Sequence, residues 1–304
     1  MDVYLPIANL SVNGLVIVAL GALTGILSGL FGVGGGFLTT PLLIFYGVPP
    51  TVAAASAATQ ITGASVSGVL AQRRRGGVDY RMGLIMVGGG VIGSGLGALL
   101  FRFFQSIGQI DVVISILYVI MLGSIGALMA REALDALRPA PDGVTPKAPK
   151  RRHHPLVAAL PLRYRFYRSG LYISPFAPLL LGVATGALTM LMGVGGGFIL
   201  VPAMLYILGM SAGVVVGTSL FNILFVTMAT TMMHALTTQA VDLVLVALLL
   251  LGSVSGAQIG TQIAQKFKPE VLRLVLAAIV LAVALRMFSG LFYQPDEIFT
   301  VVAL

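Results

Sequence analysis

Cysteine is absent from this 304-residue chain, and charge is scarce, with only 9% of residues Asp, Glu, Lys or Arg. The first absence excludes disulfides, thiolate chemistry and cysteine metal sites. The second sets aside a soluble domain, which needs a charged surface. No Lys or Arg precedes the first apolar run, so the opening "MDVYLPIANLSVNG" lacks the basic front of a signal peptide. No nucleotide-binding signature occurs, so ATP is not the direct driver of any activity unless a separate subunit brings it. No nucleophile is spaced with a base, which leaves a membrane protease without support. His153 and His154 lie in a basic stretch with no carboxylate cluster beside them, so no metal site and no cofactor is expected.

What is present is apolar. The chain is 58% hydrophobic with a mean hydropathy of +1.02. Stretches of about 20 apolar residues recur, the length one helix needs to cross hydrocarbon. The runs are continuous rather than alternating, which favours helices over a closed barrel. The 38 glycines suit close helix packing in lipid. The expected fold is an all-α polytopic membrane protein.

The chain repeats itself. Gly25 and Gly186, Gly32 and Gly193, and Pro41 and Pro202 each lie 161 positions apart, and Gln60 and Asn222 lie 162 apart. Asp79 and Asp242, Gly93 and Gly256, and Gly97 and Gly260 lie 163 apart. This predicts a first transmembrane repeat over 1–131, a linker over 132–172 and a second repeat over 173–304. Helices are expected at 12–31, 36–47, 51–72, 82–104 and 110–131, then at 173–192, 197–209, 212–235, 241–264 and 270–293. The short second element of each half either spans fully or forms a re-entrant hairpin with the first. Each repeat is thus a glycine-broken helical hairpin followed by three transmembrane helices.

Charge sets the orientation. The loop "QRRRGGVDYR" (72–81) is basic, while its counterpart "HALTTQAVD" (234–242) has no Lys or Arg. Conversely, "QSIGQ" (105–109) is uncharged and its counterpart "KFKPEVLR" (266–273) is basic. By the positive-inside rule, corresponding loops lie on opposite sides, so two inverted structural repeats are expected. The linker, with "KAPKRRHHP" and "RYRFYR", reads as a basic cytoplasmic loop near lipid headgroups rather than a nucleic-acid site.

Residues 31–41 read "FGVGGGFLTTP" and 192–202 read "MGVGGGFILVP". A glycine run frees N–H and C=O groups, which a membrane protein tolerates where backbone is buried or lines a polar cavity. The helices restarting at Phe37 and Phe198 then point their N-termini toward one another near midplane, an arrangement suited to an anion. Tight packing with a structural hinge is the plainer reading of the same glycines. The third helix of each half adds polar groups in "SAATQITGAS" (56–65) and "GTSLFNILFVT" (217–227). Gln60 and Asn222 fall near midplane, with Ser56 and Thr218 one turn earlier, and they serve either as substrate ligands or as interhelical glue. The candidate substrate-binding set is Gly32, Gly34, Gly35, Gly36, Ser56, Thr59, Gln60, Gly193, Gly195, Gly196, Gly197, Thr218, Ser219 and Asn222. Asp79, Asp242, Asp111 and Glu270 sit at helix starts, where N-capping is the simplest role. Arg286 is placed to snorkel outward, and His234 lies at a helix end, as an interface histidine or a proton relay.

The strings "GALTGILSGLFGVGGGFLTTP" (21–41) and "GVATGALTMLMGVGGGFILVP" (182–202) are similar to the signature of the sulfite exporter TauE/SafE family of membrane permeases. The resemblance covers both halves. It implies that Gly32, Gly34, Gly35, Gly36 and Pro41, with Gly193, Gly195, Gly196, Gly197 and Pro202, carry the family's function. The second copy departs from the first where Thr189 replaces Ser28 and Met190 replaces Gly29. The resemblance implies a multi-pass protein of the bacterial inner membrane that moves small sulfur-containing anions such as sulfite or organosulfonates, and not an enzyme. The expected partners are the anionic substrate and the lipid bilayer, with an H⁺ or Na⁺ coupling ion and a homo-oligomer left open and no nucleic acid. A passive anion channel and a membrane scaffold or assembly factor stand as alternatives.

Overall fold

A computed structural model describes residues 2–31, 36–74, 76–137, 164–264 and 269–292. The two halves share one order of elements. The first runs β1 (Asp2–Leu5), β2 (Leu10–Asn13), α1 (Gly14–Phe31), α2 (Gly36–Phe45), α3 (Pro50–Arg74), α4 (Tyr80–Ser106) and α5 (Ile110–Leu137). The second runs β3 (Tyr164–Phe166), β4 (Leu171–Ile173), α6 (Phe176–Met192), α7 (Gly197–Tyr206), α8 (Ala212–Met233), α9 (Leu243–Ala264) and α10 (Pro269–Phe292). A π-helical turn, His234–Thr238, extends α8. Each hairpin is antiparallel, pairing Leu5 with Leu10 and Phe166 with Leu171. The all-α membrane architecture therefore holds, with two small hairpins added. No strand was expected, because runs of three or four residues are too short to show alternation.

Among the described residues, five helices, α4, α5, α8, α9 and α10, are long and apolar enough to cross a membrane. The 25 residues of α3 reach about 37 Å at the α-helical rise, but its sequence is rich in Ala, Ser and Thr. That composition fits its place inside the bundle, where Ala53, Ala54, Ala55, Ala57 and Ala58 are all fully buried.

Small residues fasten the halves together crosswise, α1 against α9 and α4 against α6. A Cβ on Gly25 would lie 2.3 Å from the Ser253 carbonyl oxygen, and one on Gly256 would lie 2.2 Å from that of Ala22. The other clasp repeats this: Gly93 against Val183 O at 2.0 Å and Gly186 against Gly90 O at 2.1 Å. Backbone meets backbone at each point, so no side chain can yield, and close approach of this kind is a main source of helix affinity in lipid.

The contacts also give direction. Along α1, Gly21 and Gly25 meet Leu249 and Ser253 in ascending order, so α1 and α9 run parallel. The partners of Gly89, Gly93 and Gly97 are Leu179, Val183 and Ala187, so α4 and α6 run parallel as well. The third helices do the opposite. Thr59 donates to Thr231 at 3.2 Å and Thr62 to Thr227 at 2.8 Å, so α3 and α8 run antiparallel.

Two buried carboxylates tie the scheme together. The Asp79 side chain caps α4 by accepting from Met82 N at 3.2 Å, and its other oxygen accepts from the backbone and hydroxyl of Ser169 in the second hairpin. Asp242 accepts from Val244 N and Leu245 N, each at 3.1 Å, and from Ile7 N in the first hairpin at 3.0 Å. Each aspartate thus starts the fourth helix of its own half and holds the hairpin of the other. Asp111 lies inside the first turn of α5 rather than capping it, and accepts from the Thr51 hydroxyl at 3.1 Å. The side chain of Glu270 lies outside the described residues.

Candidate functional site

The second glycine break is fully described. Gly193 ends α6 in the left-handed region, φ 72°, and donates to Thr189 O at 2.8 Å. Gly195 and Gly196 follow, both at φ 73°, before α7 begins. At Gly193 a side chain is doubly excluded, since a Cβ would stand 2.1 Å from the Ala54 carbonyl oxygen of α3. The N–H groups of Ile199 and Leu200 close on Gly196 O. Those of Gly195, Gly196, Gly197 and Phe198 find no acceptor among the described residues, although all four residues are buried. Buried donors left over at a helix N-terminus suit an anion.

Of the first break, Gly32, Gly34 and Gly35 lie outside the described residues. Gly36 opens α2, and a Cβ there would stand 3.3 Å from Val194 O in the second break. The phenyl rings of Phe37 and Phe198 stack with centroids 4.2 Å apart and planes 11° apart. The starts of α2 and α7 therefore meet, as expected from the paired strings.

The remaining candidates separate into distinct settings. Gln60 is buried, and its Oε1 accepts from Thr39 at 3.4 Å. Asn222 is 1% exposed, and its Oδ1 is a buried side-chain oxygen without a hydrogen-bond partner among the described residues. The cause lies in the repeat: the position equivalent to Thr39 is Leu200, which has no hydroxyl to offer. Rotating the amide by half a turn would present donors to the same space, so Asn222 has unspent bonding capacity in either sense. Thr62 lies level with Thr227 on antiparallel helices, so Gln60 and Asn222 stand about 10 Å apart along the bundle, on either side of that level.

Ser56 and Thr218 occupy a reciprocal position. The Asp242 N–H donates to the Ser56 hydroxyl at 3.2 Å, and the Asp79 N–H donates to the Thr218 hydroxyl at 3.0 Å. Thr59 donates to Ala55 O and Thr231, and Ser219 to Val216 O. His234 is fully buried, with Nε2 3.0 Å from Met190 O and its ring edge-on to Phe101. Arg286 is exposed, with its guanidinium carbon 5.5 Å from the centre of the Phe45 ring.

Sequence reasoning passed over several polar side chains at the breaks. The last carbonyl of α6, Met192 O, accepts from Tyr118 at 2.7 Å and from Thr40 at 3.2 Å, so two hydroxyls of the first half hold the edge of the second break. A single tyrosine in the apolar helix α5 was the available signal. Ser94 and Thr230 lie 3.1 Å apart between α4 and α8.

The model of the family described as sulfite exporter TauE/SafE matches residues 17–287. A probable membrane transporter protein of Bacillus subtilis, YjnA, is 28% identical over 275 residues, covering 89% of this chain and 98% of its own length. A second from the same organism, YunE, is 26% identical, with 91% and 98% covered. A third, MJ0441 of Methanocaldococcus jannaschii, is 22% identical, with 87% and 91% covered. No solved structure matches the chain.

Proposed function

The chain belongs to the sulfite exporter TauE/SafE family, and from that premise we propose that it exports a small sulfur-containing anion, sulfite or an organosulfonate, across the bacterial inner membrane. It is a multi-pass membrane transporter. The observation that carries the finer reading is the meeting of the starts of α2 and α7, with four buried N–H groups at the start of α7 that find no acceptor among the described residues. Such donors complement the oxygens of a sulfonate or sulfite without adding a fixed positive charge that would trap it. Gly36, Gly193, Gly195, Gly196 and Gly197 line the approach with backbone, and the repeat in the sequence assigns Gly32, Gly34 and Gly35 the same role. Gln60 and Asn222 supply amides on either side, and Ser56, Thr59, Thr218 and Ser219 shape the surrounding helices.

We read the halves as inverted repeats working by alternating access. The antiparallel run of α3 and α8, which hold equivalent places in the two halves, supports the inversion. So does the parallel pairing of each first helix with the fourth helix of the other half. Residues 132–172 then face the cytoplasm.

The test is flux into proteoliposomes of pure protein, with labelled sulfite, sulfoacetate, taurine and sulfate side by side. Saturable uptake of one sulfur anion, reduced at least tenfold by Asn222→Ala and Gln60→Ala in folded protein, is the expected result. Absence of flux for all four would overturn the substrate class. Unitary current in a planar bilayer would replace the carrier by a channel.

A further inference from the structure

We propose that a groove between α3, α4, α8 and the second hairpin is a binding site for one anionic phospholipid of the leaflet that faces the basic loops. The groove has a volume of about 520 Å³, and its lining includes Arg73, Arg168, Tyr80, Leu70, Phe221 and Phe225. Its two ends differ in chemistry. Arg73 and Arg168 stand at the loop end, both exposed. The Arg73 guanidinium has no partner among the described residues. Arg168 spends one nitrogen on Gly76 O and Val78 O, at 3.1 and 3.0 Å, and a guanidinium carries five N–H donors in all. Below them the wall is aromatic: Tyr80 meets Phe221 edge-on at 5.5 Å, and Phe221 meets Phe225 at 4.9 Å.

Depth distinguishes a lipid from a soluble anion. Because Thr62 is level with Thr227, Phe225 is level with about residue 64 of α3, roughly 13 Å below Arg73. That drop is close to one acyl leaflet, half of about 30 Å. Leu70 and Phe225 are exposed large apolar side chains, a wall suited to an acyl chain and not to a soluble anion. A phosphate at the arginines and an acyl chain along the phenyl rings would fill it end to end.

The repeat supplies an internal control. The positions equivalent to Arg168 and Arg73 are Ile7 and Ala235, so the related surface of the other half carries neither charge. The charged groove therefore occurs on the side of the basic loops, where anionic lipid is concentrated if that side is cytoplasmic.

The chain has no tryptophan, so Phe225→Trp introduces a single fluorescent reporter at the foot of the groove. The variant is placed in bilayers of phosphatidylcholine with brominated phosphatidylglycerol or brominated phosphatidylcholine at equal mole fraction. Phosphatidylglycerol is expected to quench preferentially, with a relative affinity about 5-fold higher for each arginine engaged. Arg73→Ala in the same background should lower the preference by about that factor, and Arg73→Lys should keep most of it. Arg168→Ala also removes support from the 76–78 loop, so Arg73 carries the test. Equal quenching by the two lipids, or a preference unchanged in Arg73→Ala, would overturn the site. Loss of the preference on adding isethionate or sulfite at constant ionic strength would also overturn it, and would make the groove a vestibule for soluble anions. None of these readouts depends on transport, so the lipid site and the proposed substrate stand or fall separately.

Discussion

Phe37 and Phe198, 161 positions apart in sequence, stack face to face where the two short helices begin. The stack joins the starts of α2 and α7, so the rings are expected to be energetically coupled. A double-mutant cycle with Phe37→Leu and Phe198→Leu, read by thermal unfolding in detergent, should give a coupling of about 0.5–1.5 kcal/mol. Additive losses would mean that the rings merely fill space.

Asn222 sits in the fold at a cost. Its unpaired buried oxygen predicts that Asn222→Leu keeps the fold and raises stability, by about 1–3 kcal/mol if the leucine packs without strain. Flux should fall in the same variant. Lower stability with unchanged flux would show that Asn222 is structural, its amide spent on packing.

The clasps should tolerate no side chain. Gly93→Ala and Gly256→Ala each drive a methyl into backbone at close to 2 Å, and both should abolish recovery of monodisperse protein on size exclusion. Gly88→Ala and Gly123→Ala meet nothing within 4 Å and should behave as the parent.

Asp79 and Asp242 are read as struts. Replacement by alanine leaves two backbone donors and the Ser169 hydroxyl unmatched in one case and three backbone donors in the other. Each should cost about 2–3 kcal/mol of stability. Flux per folded molecule should be unchanged at low temperature. A folded Asp79→Asn protein that had lost flux would turn this residue into a proton carrier.

Single cysteines can be placed freely in a chain that has none. Thiol labelling at positions 75 and 268 should report one side of the membrane, and at position 107 the other. Labelling of 75 and 268 from opposite sides would sink the inverted arrangement.

Most of the helical plan could be read from the sequence. Long apolar runs set the helix count, and constant spacings between glycines exposed the duplication before any contact was known. The expected break at Gly193–Gly197 and the meeting of Phe37 with Phe198 follow from composition that only a packed turn explains. The hairpins were hidden, because Asp2–Leu5 and Tyr164–Phe166 carry no readable period and are held by aspartates 235 and 90 residues away. The status of Asn222 was equally hidden. Its partnership depends on whether α7 offers a hydroxyl at Leu200, and only the packed position of that side chain makes its absence matter.

The crosswise clasp has a consequence for how the protein is made. The glycine face of α1 is matched to α9, which leaves the ribosome roughly 230 residues later, some tens of seconds at ordinary elongation rates. During that interval the first helix must sit in the bilayer, or against the insertion machinery, with its partner not yet synthesised. Neither half can close its own seam, so a truncated chain ending after α5 would leave one open seam on α1 and another on α4. Assembly of this transporter is therefore bound to completion of the polypeptide, and a nascent chain that stalls in the second half exposes two adhesive surfaces to the quality-control system of the membrane.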